Sequence, residues 1–164
     1  MVENIQLSIL IKIKNITNVI KFSFSVNAMK VFITDDLNLG IDGFNTIPVV
    51  QGGVMLGNIP RNGCEFILVK NCLDKIKDDI LEELAGKMRK EGELSISGTD
   101  INSINRKFYT KEIDKKEFIE YILDKYNLYS IDEITERLQK CGLTIVSALL
   151  KGSTYDIKAI RRSK

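Results

Sequence analysis

Gly142-Leu143-Thr144-Ile145-Val146-Ser147-Ala148-Leu149-Leu150-Lys151-Gly152 is the stretch on whose reading the fold turns. Leu143, Ile145, Val146, Ala148, Leu149 and Leu150 make it apolar nearly all round, and a glycine stands at each end. It reads as a short helix over 144–151. Upstream, Ser130 and Glu133 form a capping box, and Ile134 and Leu138 supply an inner face that Gly142 can end. Downstream, Gly152 ends the middle helix, and Ser153 with Asp156 starts a third carrying Ile157 and Ile160.

Three short helices joined by tight turns over 130–161 are compatible with a helix-turn-helix. In its functional form the middle helix enters a DNA major groove. Thr144, Ser147 and Lys151 then share its exposed face, because steps of three and four align on a helix. Arg161, Arg162 and Lys164 reach phosphates. Recognition helices usually offer Arg, Asn or Gln to base edges, whereas this one offers Thr, Ser and one Lys. A helical packing or docking module is therefore preferred over DNA contact.

Working outward, residues 5–14 alternate. Ile5, Leu7, Ile9, Ile11 and Ile13 point one way, and Gln6, Ser8, Lys12 and Lys14 the other. Ile20, Phe22, Phe24 and Val26 alternate likewise after turn chemistry at 15–18, so 5–26 reads as an antiparallel hairpin. Residues 30–34, 46–50, 54–56 and 65–69 read as further short strands. Helical period takes over at 71 (Leu73, Ile76, Ile80, Leu84, Met88) and stops at Gly92. Residues 93–97 read as one more strand, 98–105 as a loop, and 111–126 as a helix. The predicted fold is α+β: a small, mostly antiparallel sheet with one or two helices, then an all-helical segment. The boundary falls near 98–110, giving a β-rich domain over 1–100 and a helical domain over 101–164.

The 164 residues suit one domain or one with an appendage, and a chain of this size buries roughly two-thirds of its unfolded surface. Net charge is +2, distributed as +1 over 1–70, −2 over 71–129 and +3 over 130–164. The basic end is too weak a signature to establish nucleic-acid binding. No apolar run approaches a bilayer span, and the start (Met1-Val2-Glu3-Asn4) does not read as a signal peptide. Cys64, Cys72 and Cys141 form no CxxC pair, which suggests a reducing compartment and buried thiols. A cytoplasmic protein, or a part of an assembled particle, is expected.

There is no histidine. Without it, Ser-His-Asp or Cys-His catalysis and nearly all zinc catalysis would need substitutes. Gly52 and Gly57 have phosphate-loop spacing, but Asn58 stands in the lysine position and Pro60 follows where a helix should run. Those glycines are read as hairpin or close-contact residues. Asp35, Asp36 and Asp42 alternate as in a calcium loop, with no acid at the twelfth position. A thiol nucleophile would need an electropositive neighbourhood; Cys72 lies near a helix start, the best place for one, but is not assigned that role. No catalytic residue, cofactor or metal is assigned. The sequence favours a non-catalytic protein–protein interaction or assembly subunit, in the setting of a viral or mobile-element particle, with a protein partner or self-association. The alternative is a DNA-binding regulator with a β-rich oligomerisation domain, and an enzyme using carboxylates alone comes third.

Overall fold

Two unbroken apolar runs form the centre of the molecule: Val31-Phe32-Ile33 in β1 (Met29–Thr34) and Phe66-Ile67-Leu68-Val69 in β4 (Cys64–Lys70). Strands covered on both faces need no polar alternation, and such strands usually pair in parallel. In the computed structural model, which describes residues 28–162, β1 pairs in parallel with β4 and with β2 (Asn45–Val50). β4 pairs in parallel with β5 (Met88–Thr99), Ile67 facing Leu94 and Val69 facing Ile96. A two-residue strand, β3 (Gly53–Val54), closes one side as a hairpin on β2, through a turn with positive φ at both Gln51 and Gly52.

The other side is made by the C-terminal stretch. Thr144–Lys151 is a strand, β6, and Thr154–Ile160 is a strand, β7, antiparallel to both β6 and β5. The seven-stranded sheet runs β3-β2-β1-β4-β5-β7-β6. The expected helices at 144–151 and 153–160 are thus corrected. Thr144, Ile145 and Val146 are β-branched and fit a pleated surface better than a helix. Gly152, at φ 62, turns the chain between Lys151 and its partner Thr154. Tyr155, Ile157 and Ala159 then go inward while Thr154, Asp156 and Lys158 go outward, a period of two. With those helices the helix-turn-helix is overturned, and so is the small antiparallel sheet followed by helices. The sheet is mixed, and it runs across the boundary expected near 98–110. The hairpin expected at 5–26 lies outside the described residues.

The helix expected from 71 resolves into a 3-10 turn (Leu73–Lys75) and a seven-residue helix, α1 (Leu81–Lys87), before Met88 enters β5. The expected loop at 98–105 holds α2 (Ile101–Tyr109), capped by Asp100. α3 (Lys115–Ile122) starts on a full capping box between Asp114 and Glu117. α4 (Ile131–Lys140) starts at Ser130, whose hydroxyl accepts from the Glu133 N–H at 3.2 Å. Ile134 and Leu138 on α4 and Leu81 and Leu84 on α1 join Val31, Ile67, Leu94 and Ile157 in one core.

Gly98 on β5 is required by a close approach. A β-carbon there would lie 2.7 Å from Cζ of the buried Tyr155 ring. Gly98→Ala is expected to cost about 1–3 kcal/mol through overpacking, read from denaturant midpoints at constant slope.

Candidate functional site

In open α/β sheets, ligands bind outside the carboxyl ends of parallel strands, where the strand order reverses. Here that point lies between β1 and β4, since the chain continues from β1 towards β2 on one side and from β4 towards β5 on the other. Each strand ends in polar residues. Thr34, at the end of β1, is buried, and its hydroxyl accepts from the Asp36 N–H at 3.1 Å. The Asp36 carboxylate accepts from the Asn38 N–H at 3.0 Å, folding the following loop into a local turn. After β4 come Asn71, at φ 52, then Cys72 and Asp74.

Charge bridges the two sides of this crevice. The Lys75 ammonium pairs with the Asp35 carboxylate across it. That hydrogen bond is the main reason the ammonium is held above the ordinary lysine range. The Cys72 thiol donates to the Ile33 carbonyl at 3.5 Å. Burial, and then the negative charges of Asp35 and Asp74, push it up to about 12. At neutral pH it stays protonated and is no nucleophile.

A strap crosses from α3 towards α4. Lys125 pairs with Asp74, both side chains nearly buried. The Tyr126 and Asn127 amides donate to the Asp74 carbonyl at 2.9 and 3.1 Å, and the Asn127 side chain donates to the Ile76 carbonyl at 2.6 Å. Lys77 lies 4.9 Å from the centre of the Tyr126 ring, a cation–π contact. Both side chains press on Gly52, where a β-carbon would come within 2.6 Å of the tyrosine ring and 2.8 Å of Lys77. The second oxygen of Asp74, Oδ1, is buried without a hydrogen-bond partner among the described residues. Such a group commonly marks the place of a missing partner.

The residues singled out from sequence are distributed differently. Asp35 sits in the crevice, Asp36 makes a turn, and Asp42 is exposed in the loop. Among the described residues no group of three or more potential metal ligands gathers. Gly52 shapes the β2–β3 turn. As a strand, β6 separates Thr144 from Lys151 by about 23 Å, so they share no recognition face with Ser147. Thr144, Arg161 and Arg162 do meet, in a cleft at the opposite edge of the sheet. Lys164 lies outside the described residues. Lys75, Asp74 and Lys125 were not foreseen, because their partners lie 40 and 51 residues away in sequence.

The parallel core, with β3 and β7 reversed, and the polar carboxyl edge make a Rossmann-like mixed sheet. No protein-family model and no curated protein matches this chain. Its fold is similar to that of solved S-adenosylmethionine-dependent methyltransferases. A structure of the Haloferax volcanii Trm112 methyltransferase activator in complex with a methyltransferase matches at TM-score 0.56 and 10% identity, covering 82% of this chain and 73% of that one. A SAM-dependent methyltransferase of Thermotoga maritima matches at TM-score 0.55 and 16% identity, over 85% and 76% of the two chains. One from Listeria monocytogenes matches at TM-score 0.54 and 13% identity, over 82% and 81%. The likeness is one of fold. It replaces the expected non-catalytic assembly or particle subunit, and the DNA-binding regulator, with a methyltransferase-like architecture. Among the described residues no helix is long and apolar enough to cross a membrane.

Proposed function

We propose that this chain binds an S-adenosylmethionine-type cofactor at the carboxyl edge of β1 and β4 and directs methyl transfer to an acceptor lying across that edge. The observation that carries the proposal is the fold itself, a seven-stranded mixed sheet with a parallel core, which is similar to the fold of those methyltransferases. The residues fit the group. The orphaned Asp74 Oδ1 and the carboxylates of Asp35 and Asp36 are acceptors suited to ribose hydroxyls and to a ligand bearing sulfonium and ammonium charges. Lys75 and Lys77 suit its carboxylate. The ligand carries a carboxylate and no phosphate; with no helix N-terminus directly after β1, this reading leaves that anion to Lys75 and Lys77.

When bound, the cofactor supplies an electrophilic methyl group. The chain's own residues are left with binding, orientation and the acceptor's proton. In this reading the exposed Asp36 carboxylate, rather than the cofactor-facing Asp35, takes that proton. The absence of histidine therefore excludes less than it first suggests, because the group-transfer chemistry resides in the cofactor.

Calorimetric titration with S-adenosylhomocysteine tests the reading. Saturable binding with Kd below ~1 mM is expected. Asp35→Asn should weaken it about tenfold, about 1.4 kcal/mol, with circular dichroism unchanged. Folded protein that shows neither heat nor thermal shift at ~1 mM ligand overturns it. A protein partner enters this reading through the activator complex among the fold neighbours, and we assign it no surface on this chain. A cytoplasmic setting is the companion proposal, supported by three unpaired cysteines.

A further inference from the structure

At the amino ends of the parallel strands, on the edge opposite the crevice, lies a cleft of about 840 Å³ lined by Arg89, Lys90, Arg161 and Arg162 together with Asn62 and Thr144. Among the described residues no carboxylate lines it. We propose that it is a second binding site, for a phosphate group carried on a nucleotide-sized molecule or on a nucleic-acid backbone.

The site is built rather than scattered. β4 advances from Cys64 to Phe66 while its partner β5 advances from Met88 to Glu93, so Arg89 to Gly92 form an outward excursion of the strand. Bulges of this kind re-aim side chains. Its backbone is specialised: Glu91 stands at φ 59, and a β-carbon on Gly92 would lie 2.8 Å from the Cys64 carbonyl oxygen. The excursion is pinned to the end of β7 by two backbone bonds, Glu91 N–H to the Arg161 carbonyl at 2.8 Å and Arg161 N–H to the Gly92 carbonyl at 3.1 Å. That brings Arg89 and Lys90 beside Arg161 and Arg162.

The Arg161 guanidinium is fixed by one nitrogen, Nη1, which donates to the Met88 carbonyl and to Asn62 Oδ1, each at 2.6 Å, and to the Ala85 carbonyl at 3.2 Å. A guanidinium held this way loses little freedom on meeting a phosphate. Arg89 also reaches Glu65, at 3.4 Å, with both side chains more than 40% exposed, an arrangement worth little in water. Cys141 at the rim is a neutral thiol, pushed up by burial and by Glu82 and Asp79. Concave surfaces lined by one sign of charge concentrate counter-ions of the other.

The test uses the full chain with inorganic pyrophosphate and, separately, a short single-stranded oligonucleotide, titrated at ~50 mM salt. Each is expected to bind with Kd below ~1 mM. The Lys90→Ala/Arg162→Ala pair, which spares the Arg161 anchor, should weaken both at least tenfold while leaving the melting temperature and S-adenosylhomocysteine titration unchanged. An oligonucleotide binding far more tightly than pyrophosphate, with a steep salt slope, identifies a nucleic-acid backbone. Equal affinities identify a small phosphate compound. Absence of saturable binding by either probe, or binding indifferent to the double variant, overturns the proposal without touching the reading of the carboxyl edge.

Discussion

Lys125→Met is expected to lower the unfolding free energy by about 3–5 kcal/mol, a large share of a domain's total. Its ammonium meets Asp74 under the strap, where both side chains are close to nine-tenths buried. Removing the cation leaves a carboxylate in the interior with one oxygen already unpartnered. An uncompensated buried charge costs far more than the pair contributes, because the desolvation penalty remains when the attraction is gone. Methionine keeps the length and apolar character of the stem, so the loss is one of charge. Urea denaturation measures it, and the double variant Asp74→Asn/Lys125→Met supplies the control. With the charge gone from both partners, most of the lost stability should return. A single variant within about 1 kcal/mol of the parent would place the pair in solvent-like surroundings and remove the reason to treat this edge as desolvated.

The strap also shows what kind of information was legible in the chain. Local chemistry was readable: Ser130 caps α4, the two-residue turn at Gln51-Gly52 makes a hairpin, and the apolar runs in β1 and β4 are strands. Those same runs lack alternation, which is the mark of a parallel strand covered on both faces, and an antiparallel reading passed over it. The C-terminal stretch is ambiguous by period alone, because Ile157 and Ile160 satisfy a helical step while Tyr155, Ile157 and Ala159 satisfy a strand step. Gly152-Ser153 between two apolar runs, a two-residue hairpin signal, decides between them. The site was not legible for a different reason. Asp35 meets Lys75, and Asp74 meets Lys125, only once strand order has been fixed by long-range pairing. Arg161 and Arg162 were noticed as a basic end, but their company with Arg89 and Lys90 depends on β7 running back beside β5.

Asp100→Ala is the second change with a large expected effect, about 2–4 kcal/mol, and it links stability to the site. Asp100 is 2% exposed and serves two helices. One oxygen accepts from the Ser103 N–H at 2.7 Å and caps α2; the other accepts from the Ile131 N–H at 2.8 Å at the start of α4. Its own N–H donates to the Ser153 carbonyl in the β6–β7 turn at 2.8 Å. Alanine keeps that backbone bond and leaves two amides without acceptors, each at a cost of about 1–2 kcal/mol. Asparagine retains one acceptor oxygen, so Asp100→Asn should fall between parent and Asp100→Ala. Hydrogen exchange locates the damage: the Ser103 and Ile131 amides should lose protection before the β4 and β5 core does. Because Ile101 N–H also holds the Tyr129 carbonyl at 3.1 Å, loosening this junction frees the strap that carries Lys125 and Tyr126. Weaker S-adenosylhomocysteine binding in Asp100→Ala, at a temperature where the variant remains folded, would tie the strap to the site. Unchanged affinity in a destabilised variant would confine Asp100 to holding α2 and α4 together.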